Sequence, residues 1–385
     1  MKAHKFLTHL FLLFFSFGGF YSAQAQTAST IDTVTTAFLP AITFNTDLGL
    51  VGGGLFSRYQ YKENQVPFYS YLNASALIST KGFFQASVFH DKPNVFDSNL
   101  RITSESYISR FLQSQYYGIG NYQKLQDAPE GQPDFYLFKS FSTGFEVTLR
   151  RPVLITQKGK YLDILGLVIF DYKTPFDNGD DRLMEQEKPL GYGGARTAAF
   201  GTGFIWEGRN NEFASTAGTY IKTTAEFGQK FFGSSYNYLA LKSDLRAYTS
   251  FYLFREVTFA NRLVIEHTSG SISYWKMAEA GGEQTLRGYP ENRFLDNNSL
   301  ILNTELRTWL FEFPEYATRL GGTLFMDIGR TFPNKTALGD VFNDLKYTFG
   351  FGGTGSFFTP DFILRGDVGF SDEGVGIYFT AGYMF

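Results

Sequence analysis

The stretch Tyr236-Asn237-Tyr238-Leu239-Ala240-Leu241-Lys242-Ser243-Asp244-Leu245-Arg246-Ala247-Tyr248-Thr249 sets the pattern from which the fold is read. Its odd positions, Asn237, Leu239, Leu241, Ser243, Leu245, Ala247 and Thr249, are mostly apolar or small. Its even positions include Lys242, Asp244, Arg246 and Tyr248. A period of two sends alternate side chains to opposite faces of a strand. The next stretch repeats the pattern, with Val257, Phe259, Leu263 and Ile265 on one face and Thr258, Arg262 and Glu266 on the other. A strand of a soluble sandwich alternates in the same way, so the number of such stretches has to decide.

Working outward, sixteen candidate strands are predicted, at about 37–46, 49–62, 67–79, 82–90, 98–110, 133–150, 160–173, 191–206, 215–228, 236–249, 252–266, 299–309, 319–329, 346–353, 361–370 and 375–385. That many apolar faces would exceed a usual sandwich and would need a second sheet to cover them. A lipid-facing barrel needs no second layer. The connections near 111–132, 174–190, 229–235, 267–298 and 330–345 are mostly long. Those near 63–66, 151–159, 250–251 and 310–318 are mostly shorter, so long and short ends alternate as in an outer-membrane barrel. The expectation is an all-β, transmembrane, antiparallel β-barrel of about sixteen strands forming one domain over residues 37–385.

Composition agrees. Charged residues make up 18% of the 385, below the roughly 25% of an average soluble domain, while 44 Phe and 24 Tyr must be placed. A mean hydropathy of −0.16 is too polar for a bundle of membrane helices. Past residue 25 no run approaches the roughly 18 apolar residues of a spanning helix. A net charge of −3 spread along the chain argues against a nucleic-acid partner, which needs a basic stripe. With no cysteine there is neither a disulfide framework nor a thiolate metal site.

Residues 1–25 read as a cleaved signal peptide: Lys2 and Lys5, an apolar Phe6 to Phe20, then Ala23-Gln24-Ala25. The rival, a retained anchor, would need a longer apolar stretch. Residues 26–36 would form a short periplasmic segment. The chain would then sit in the bacterial outer membrane, with its lipids as the first partner. At the other end Val375, Ile377, Phe379, Ala381, Tyr383 and Phe385 share one face, predicted to meet lipid with Tyr and Phe at the interface. An alternating last strand ending on an aromatic is also the pattern by which outer-membrane barrels are recognised for assembly, so Tyr383 and Phe385 are the predicted assembly signal.

The 267–298 connection carries Gly281-Gly282-Glu283-Gln284-Thr285-Leu286-Arg287-Gly288-Tyr289. Two glycines ahead of an Arg-Gly-aromatic tripeptide suggest a tight loop that aims one arginine. Asn303, Glu305 and Arg307 alternate with Leu302, Leu306 and Leu310, and Asp327 opposes Leu324, Met326 and Ile328. Lipid-facing carboxylates are expensive, so Glu305 and Asp327 should point into the lumen from adjacent strands. A guanidinium between them would gain charge-assisted bidentate bonds and could pin the loop inside the barrel.

Here the chain resembles the outer-membrane assembly-barrel superfamily, the BamA/TamA-like or bacterial surface antigen family. The family's Arg-Gly-Phe or Arg-Gly-Tyr loop motif matches Leu286-Arg287-Gly288-Tyr289. Its glutamate strand matches Asn303-Thr304-Glu305-Leu306-Arg307, and its Phe-x-Asp-x-Gly strand matches Phe325-Met326-Asp327-Ile328-Gly329. Leu364-Arg365-Gly366-Asp367 resembles the penultimate strand. Gly118-Ile119-Gly120-Asn121 and Trp206-Glu207-Gly208-Arg209-Asn210 resemble weaker blocks. The resemblance implies that Arg287 is the loop arginine and that Glu305 and Asp327 are its lumenal partners. It also implies assistance with inserting or translocating proteins, or lipids, with a client or an accessory envelope protein as further partner. Protein-handling members place POTRA modules of roughly 70–80 residues before the barrel. Residues 26–36 leave no room for one, so a short, barrel-only member is expected.

A passive pore and a structural barrel subunit of an envelope complex are the alternatives. An enzyme is not expected: past residue 25 only His90 and His267 could serve a Ser-His hydrolase, and His267 with Ser269 and Ser271 sits at a strand-to-loop edge. Val51-Gly52-Gly53-Gly54 falls within a strand and is no phosphate loop. The acidic stretch from Asp177 to Glu187 lacks any known metal-loop spacing, so neither metal nor cofactor is expected.

Overall fold

The computed structural model describes residues 33–63, 68–96, 98–121, 128–157, 159–176, 179, 181–357 and 363–385. The predicted signal peptide and most of the 26–36 segment lie outside them. The strands are β1 (Thr33–Asn45), β2 (Gly49–Tyr61), β3 (Ser70–Ser79), β4 (Phe83–Val95), β5 (Leu100–Gln115), β6 (Leu137–Ile155), β7 (Tyr161–Pro175), β8 (Ala195–Glu207) and β9 (Gly218–Gly228). They continue with β10 (Tyr238–Tyr252), β11 (Glu256–Gly270), β12 (Ala278–Ala280), β13 (Phe294–Asp296), β14 (Asn298–Phe313), β15 (Thr318–Phe332), β16 (Lys346–Ser356), β17 (Ile363–Phe370) and β18 (Val375–Ala381).

All but β12 and β13 close into one antiparallel barrel of sixteen strands, as the alternation predicts. Neighbours in the barrel are neighbours in sequence, except that β1 closes on β18 and that β14 pairs with β11 because β12 and β13 form a separate ribbon inside the connection. The pattern that opened the reading holds. Across β10, Leu241 and Ala247 are exposed while Asp244 and Tyr248 are buried. Apolar side chains such as Phe56, Ile78, Leu324 and Phe351 cover the outside. Charge is turned inward and paired: Asp91 with Arg101, Asp163 with Arg150, Glu207 with Arg209, and Asp244 with both Arg246 and Arg262. This is why a chain short of charge can still fill a polar interior.

Two expectations about the ends of the barrel fail. The first strand begins at Thr33, so residues 33–36 belong to the barrel wall and not to a preceding segment. The last strand stops at Ala381 instead of running to the end. Gly382 takes a left-handed φ of +83°, which ends the alternation. Phe385 then turns away from the outer face and packs inside against Tyr248 and Ala260. The Arg307 guanidinium holds it there, donating to the Phe385 carbonyl at 2.9 Å and lying 4.1 Å and 4.8 Å from the Tyr383 and Phe385 ring centres. A cation stacked on two rings inside the barrel outweighs simple continuation of the strand.

Closure is uneven. β1 and β2 pair over thirteen registered positions, Thr33↔Tyr61 through Asn45↔Gly49. β1 and β18 register at one, Asn45↔Tyr378. Around it Thr46 N–H donates to the Ile377 carbonyl at 3.0 Å and Ile377 N–H to Thr46 Oγ1 at 2.8 Å. The Thr43 hydroxyl donates to the Phe379 carbonyl.

Candidate functional site

The site is built by the connection between β11 and β14. Gly281 and Gly282, with φ of +123° and +80°, reverse the chain, and the Thr285 hydroxyl fastens the turn by bonding both the N–H and the carbonyl of Gly281. Gly282 N–H donates to the Tyr289 carbonyl at 3.0 Å. Leu286 and Tyr289 pack with Val264, Phe294 and Ile301 in a small apolar cluster. Hydrophobic contact thus holds the base of the loop while its tip, Arg287, enters a charged pocket.

Arg287, Glu305 and Asp327 are each 0% exposed. Arg287 grips Asp327 with a fork, Nε to Oδ2 at 2.9 Å and Nη2 to Oδ1 at 2.8 Å. Its Nη1 donates to Glu305 Oε1 at 2.6 Å and to Asp367 Oδ2 at 3.1 Å. The planar guanidinium lies over the Phe325 ring at 3.4 Å from its centre. Asn303 adds a donor to Asp327 at 2.9 Å and another to the Thr285 carbonyl at 2.7 Å. The structure brings together Arg287, Glu305 and Asp327, the three residues singled out from the sequence.

The sequence pattern does not single out Asp367 and Phe325. Asp367 sits on β17, beyond β15 and β16, and its alternation with Arg365 and Gly369 reads as any inward face; the motif Leu364-Arg365-Gly366-Asp367 was the available signal. Phe325 is an aromatic on the inward face, opposite Glu305 in register, and its role as the floor of the site needs the third dimension.

The cluster reaches further in both directions. Glu305 gives its other oxygen to Arg307 Nε at 2.8 Å, so one carboxylate links the loop arginine to the arginine that holds the C-terminus. Arg365 lies 3.1 Å from Asp367 and 3.6 Å from Glu283 of the loop. Gly288 sits at φ +109° with its backbone against β17. A methyl group there would fall 2.9 Å from the Phe370 carbonyl carbon, and one on Gly369 would fall 2.7 Å from that of Arg287. These two glycines let two backbones touch.

The loop also crosses the seam. On the β18 side, Gly288 N–H donates to the Tyr378 hydroxyl at 3.0 Å, Tyr289 Oη to Asp372 at 2.5 Å, and Arg293 forks onto Glu373 with two bonds of 2.6 Å. Burial, and then the Asp372 carboxylate, push the Tyr289 phenol up in pKa, so it stays a donor. On the β1 side, Glu291 N–H donates to Asp47 at 3.1 Å. Gly120 joins the same loop through its N–H to Leu295, and Asn121 bonds Asp344 and Thr331 beside it.

The remaining candidates lie elsewhere. His90 shares a hydrogen bond with Ser70 and His267 with Asn298, and neither is among the groups around Arg287. Val51-Gly52-Gly53-Gly54 lies within β2. Among the described residues no group of three or more His, Asp or Glu is placed to hold a metal ion.

The family model for the Omp85 superfamily domain matches residues 70–385. No curated protein matches the sequence. Among solved structures, BamA from Haemophilus ducreyi lacking POTRA domains 1–3 aligns with a TM-score of 0.62 at 12% identity, over 91% of this chain and 70% of that one. CdiB from Acinetobacter baumannii aligns with a TM-score of 0.55 at 15% identity, over 92% of this chain and 66% of that one. CdiB from Escherichia coli gives 0.57 at 13% identity, over 91% and 63%. The chain thus spans just under two thirds of either CdiB, and at these identities the likeness is one of fold. Because the family model takes in everything from β3 to the last residue, loop arginine and carboxylates included, the chain belongs to the Omp85 superfamily.

Proposed function

We propose that this barrel sits in the bacterial outer membrane, its short-turn end toward the periplasm, and assists the insertion or translocation of proteins or lipids there. The observation that carries the reading is the seam. β1 has thirteen residues but registers with β18 at one, so among the described residues most of its outer edge has no registered backbone partner. The seam is short because β18 ends at Ala381, where Gly382 turns left-handed. An unpaired edge is a template for another strand, and parting the seam breaks only a few bonds, each worth about 0.5–1.5 kcal/mol net in water. A client strand could take up those groups while the lumenal loop keeps the rest of the barrel closed. Such a device works by offering an edge and disturbing the bilayer locally. It asks for no catalytic residue, consistent with a site made of mutually neutralising charges.

Depletion of the protein followed by outer-membrane proteomics tests this. The expected result is loss of one or more other barrels or surface proteins, and an unchanged outer membrane would sink the reading. Planar-bilayer recordings provide a second check. A steady open pore indifferent to Arg287 would favour a passive channel, whereas co-purification in a stable envelope complex without any change in other proteins would favour a structural subunit.

A further inference from the structure

The outer wall of β2–β4, beside the seam, carries a patch that the assembly reading does not use. Strand alternation puts Arg58 on the same outward side as Phe56, and His90 on the same side as Phe84 and Val88. Register aligns Arg58 with Leu72 and Leu72 with His90, so these three form one row across the wall. Lys62, just past β2, and Lys92 on β4 continue outward below that row.

The two lysines converge. Lys62 Nζ lies 4.0 Å and Lys92 Nζ 3.6 Å from the centre of the Tyr69 ring. Each gains from the ring face, but two ammonium groups drawn to one ring repel each other. No carboxylate among the described residues makes an ion pair with Arg58, Lys62 or Lys92. Asp91, next to Lys92, faces inward and is taken by Arg101 at 2.5 Å. Ser70 Oγ and His90 Nε2 are 3.1 Å apart, which fixes the imidazole at the patch's edge. An anion placed between these groups would relieve the repulsion and meet several donors at once.

Depth selects the anion. Leu50 and Arg58 are eight residues apart on β2, about 26 Å along a strand and about 20 Å along the axis of a tilted barrel. The patch therefore lies at the lower border of the apolar band, at headgroup level on the short-turn end.

We propose that Arg58, Lys62 and Lys92, with Tyr69 between the lysines and His90 beside them, seat the phosphate of an anionic phospholipid headgroup in the periplasmic leaflet. This rests on the barrel spanning the membrane with its short-turn end toward the periplasm. Three cations without a carboxylate ion-pair partner among the described residues attract an anionic headgroup more strongly than a zwitterionic one, so phosphatidylglycerol is favoured over phosphatidylcholine. The seat begins on β2, so only the width of β1 lies between it and that strand's unpaired edge. A lipid held there would be among the first molecules to meet an opening seam.

The full chain is reconstituted in vesicles of equal phosphatidylcholine and phosphatidylglycerol and extracted, and the lipid that remains bound is weighed by native mass spectrometry. Wild-type protein is expected to retain phosphatidylglycerol preferentially. Lys62→Gln with Lys92→Gln should lower that preference by about fivefold for each cation removed. Lys62→Arg with Lys92→Arg should preserve it, and Arg151→Gln, an exposed outward cation away from the patch, should leave it unchanged. An unchanged preference in the double glutamine variant overturns the proposal. Displacement of the lipid by inorganic phosphate also overturns it, by reassigning the seat to the free anion. Should the double variant fail to fold, Arg58→Gln alone carries the same reading. None of these outcomes depends on client insertion, so failure of the assembly reading would show separately, in the proteome.

Discussion

The inner wall at β14–β17 and the joint between β1 and β18 are neighbours in one barrel, yet they are built on opposite principles. At the wall, Arg287 spends four hydrogen bonds on three carboxylates, stacks on Phe325 and is cut off from water. At the joint, one registered pair and a few threonine contacts hold two strands together. The loop that makes the first also bridges the second, through Tyr378 and Asp372 on one side and Asp47 on the other. Rigidity in this molecule is thus concentrated next to its weakest point. The difference shows that a barrel can be clasped from within beside a joint that is barely paired.

Breaking the clasp gives the largest expected effect. Arg287→Ala leaves Glu305, Asp327 and Asp367 buried without their shared cation, and removing one member of a buried charged group typically costs about 3–5 kcal/mol. The melting profile in detergent should fall steeply, and an unchanged profile would refute the pairing. Arg287→Lys should be hardly better, because an ammonium cannot reproduce the fork onto Asp327.

Locking the joint sharpens the comparison from the other side. Asn45→Cys with Tyr378→Cys joins the one registered pair, and an oxidised bridge should raise stability by about 2–4 kcal/mol. The same bridge should abolish assembly activity until it is reduced. Activity that survives oxidation would separate the function from lateral opening.

Gly369→Ala probes the contact between the two regions. Its new methyl would press on the Arg287 backbone at 2.7–2.8 Å, so a loss of about 1–3 kcal/mol is expected by thermal melting. The smallest effect should come from Tyr289→Phe, which removes one bond to a partly exposed carboxylate. A loss of about 1 kcal/mol in melting, with Arg287 still protected, is expected.

Much of this was legible beforehand, for physical reasons that can be named. Alternation in β10, β11 and β14 showed the barrel because an apolar outer face and a polar inner face force a period of two. Arg287, Glu305 and Asp327 could be paired because buried charge must find its opposite, and the BamA/TamA-like resemblance agrees with the superfamily to which the chain belongs. What escaped depended on distance or on a single dihedral. Asp367 joins the cluster from two strands further around the wall. Tyr383 and Phe385 were placed toward lipid because nothing in the local pattern announces that Gly382 turns left-handed and that Arg307 waits inside. The contribution of β12 and β13 was hidden because three-residue strands carry no period.

The single registered pair between β1 and β18 also has a mechanical meaning. A cylinder with equal joints would share any change in girth around its whole circumference. This one is paired like a split ring, with its weakest joint at one line. In the membrane setting proposed above, thickening, thinning or lateral squeezing of the bilayer would be felt at that line first, which would make the seam a gauge of bilayer stress.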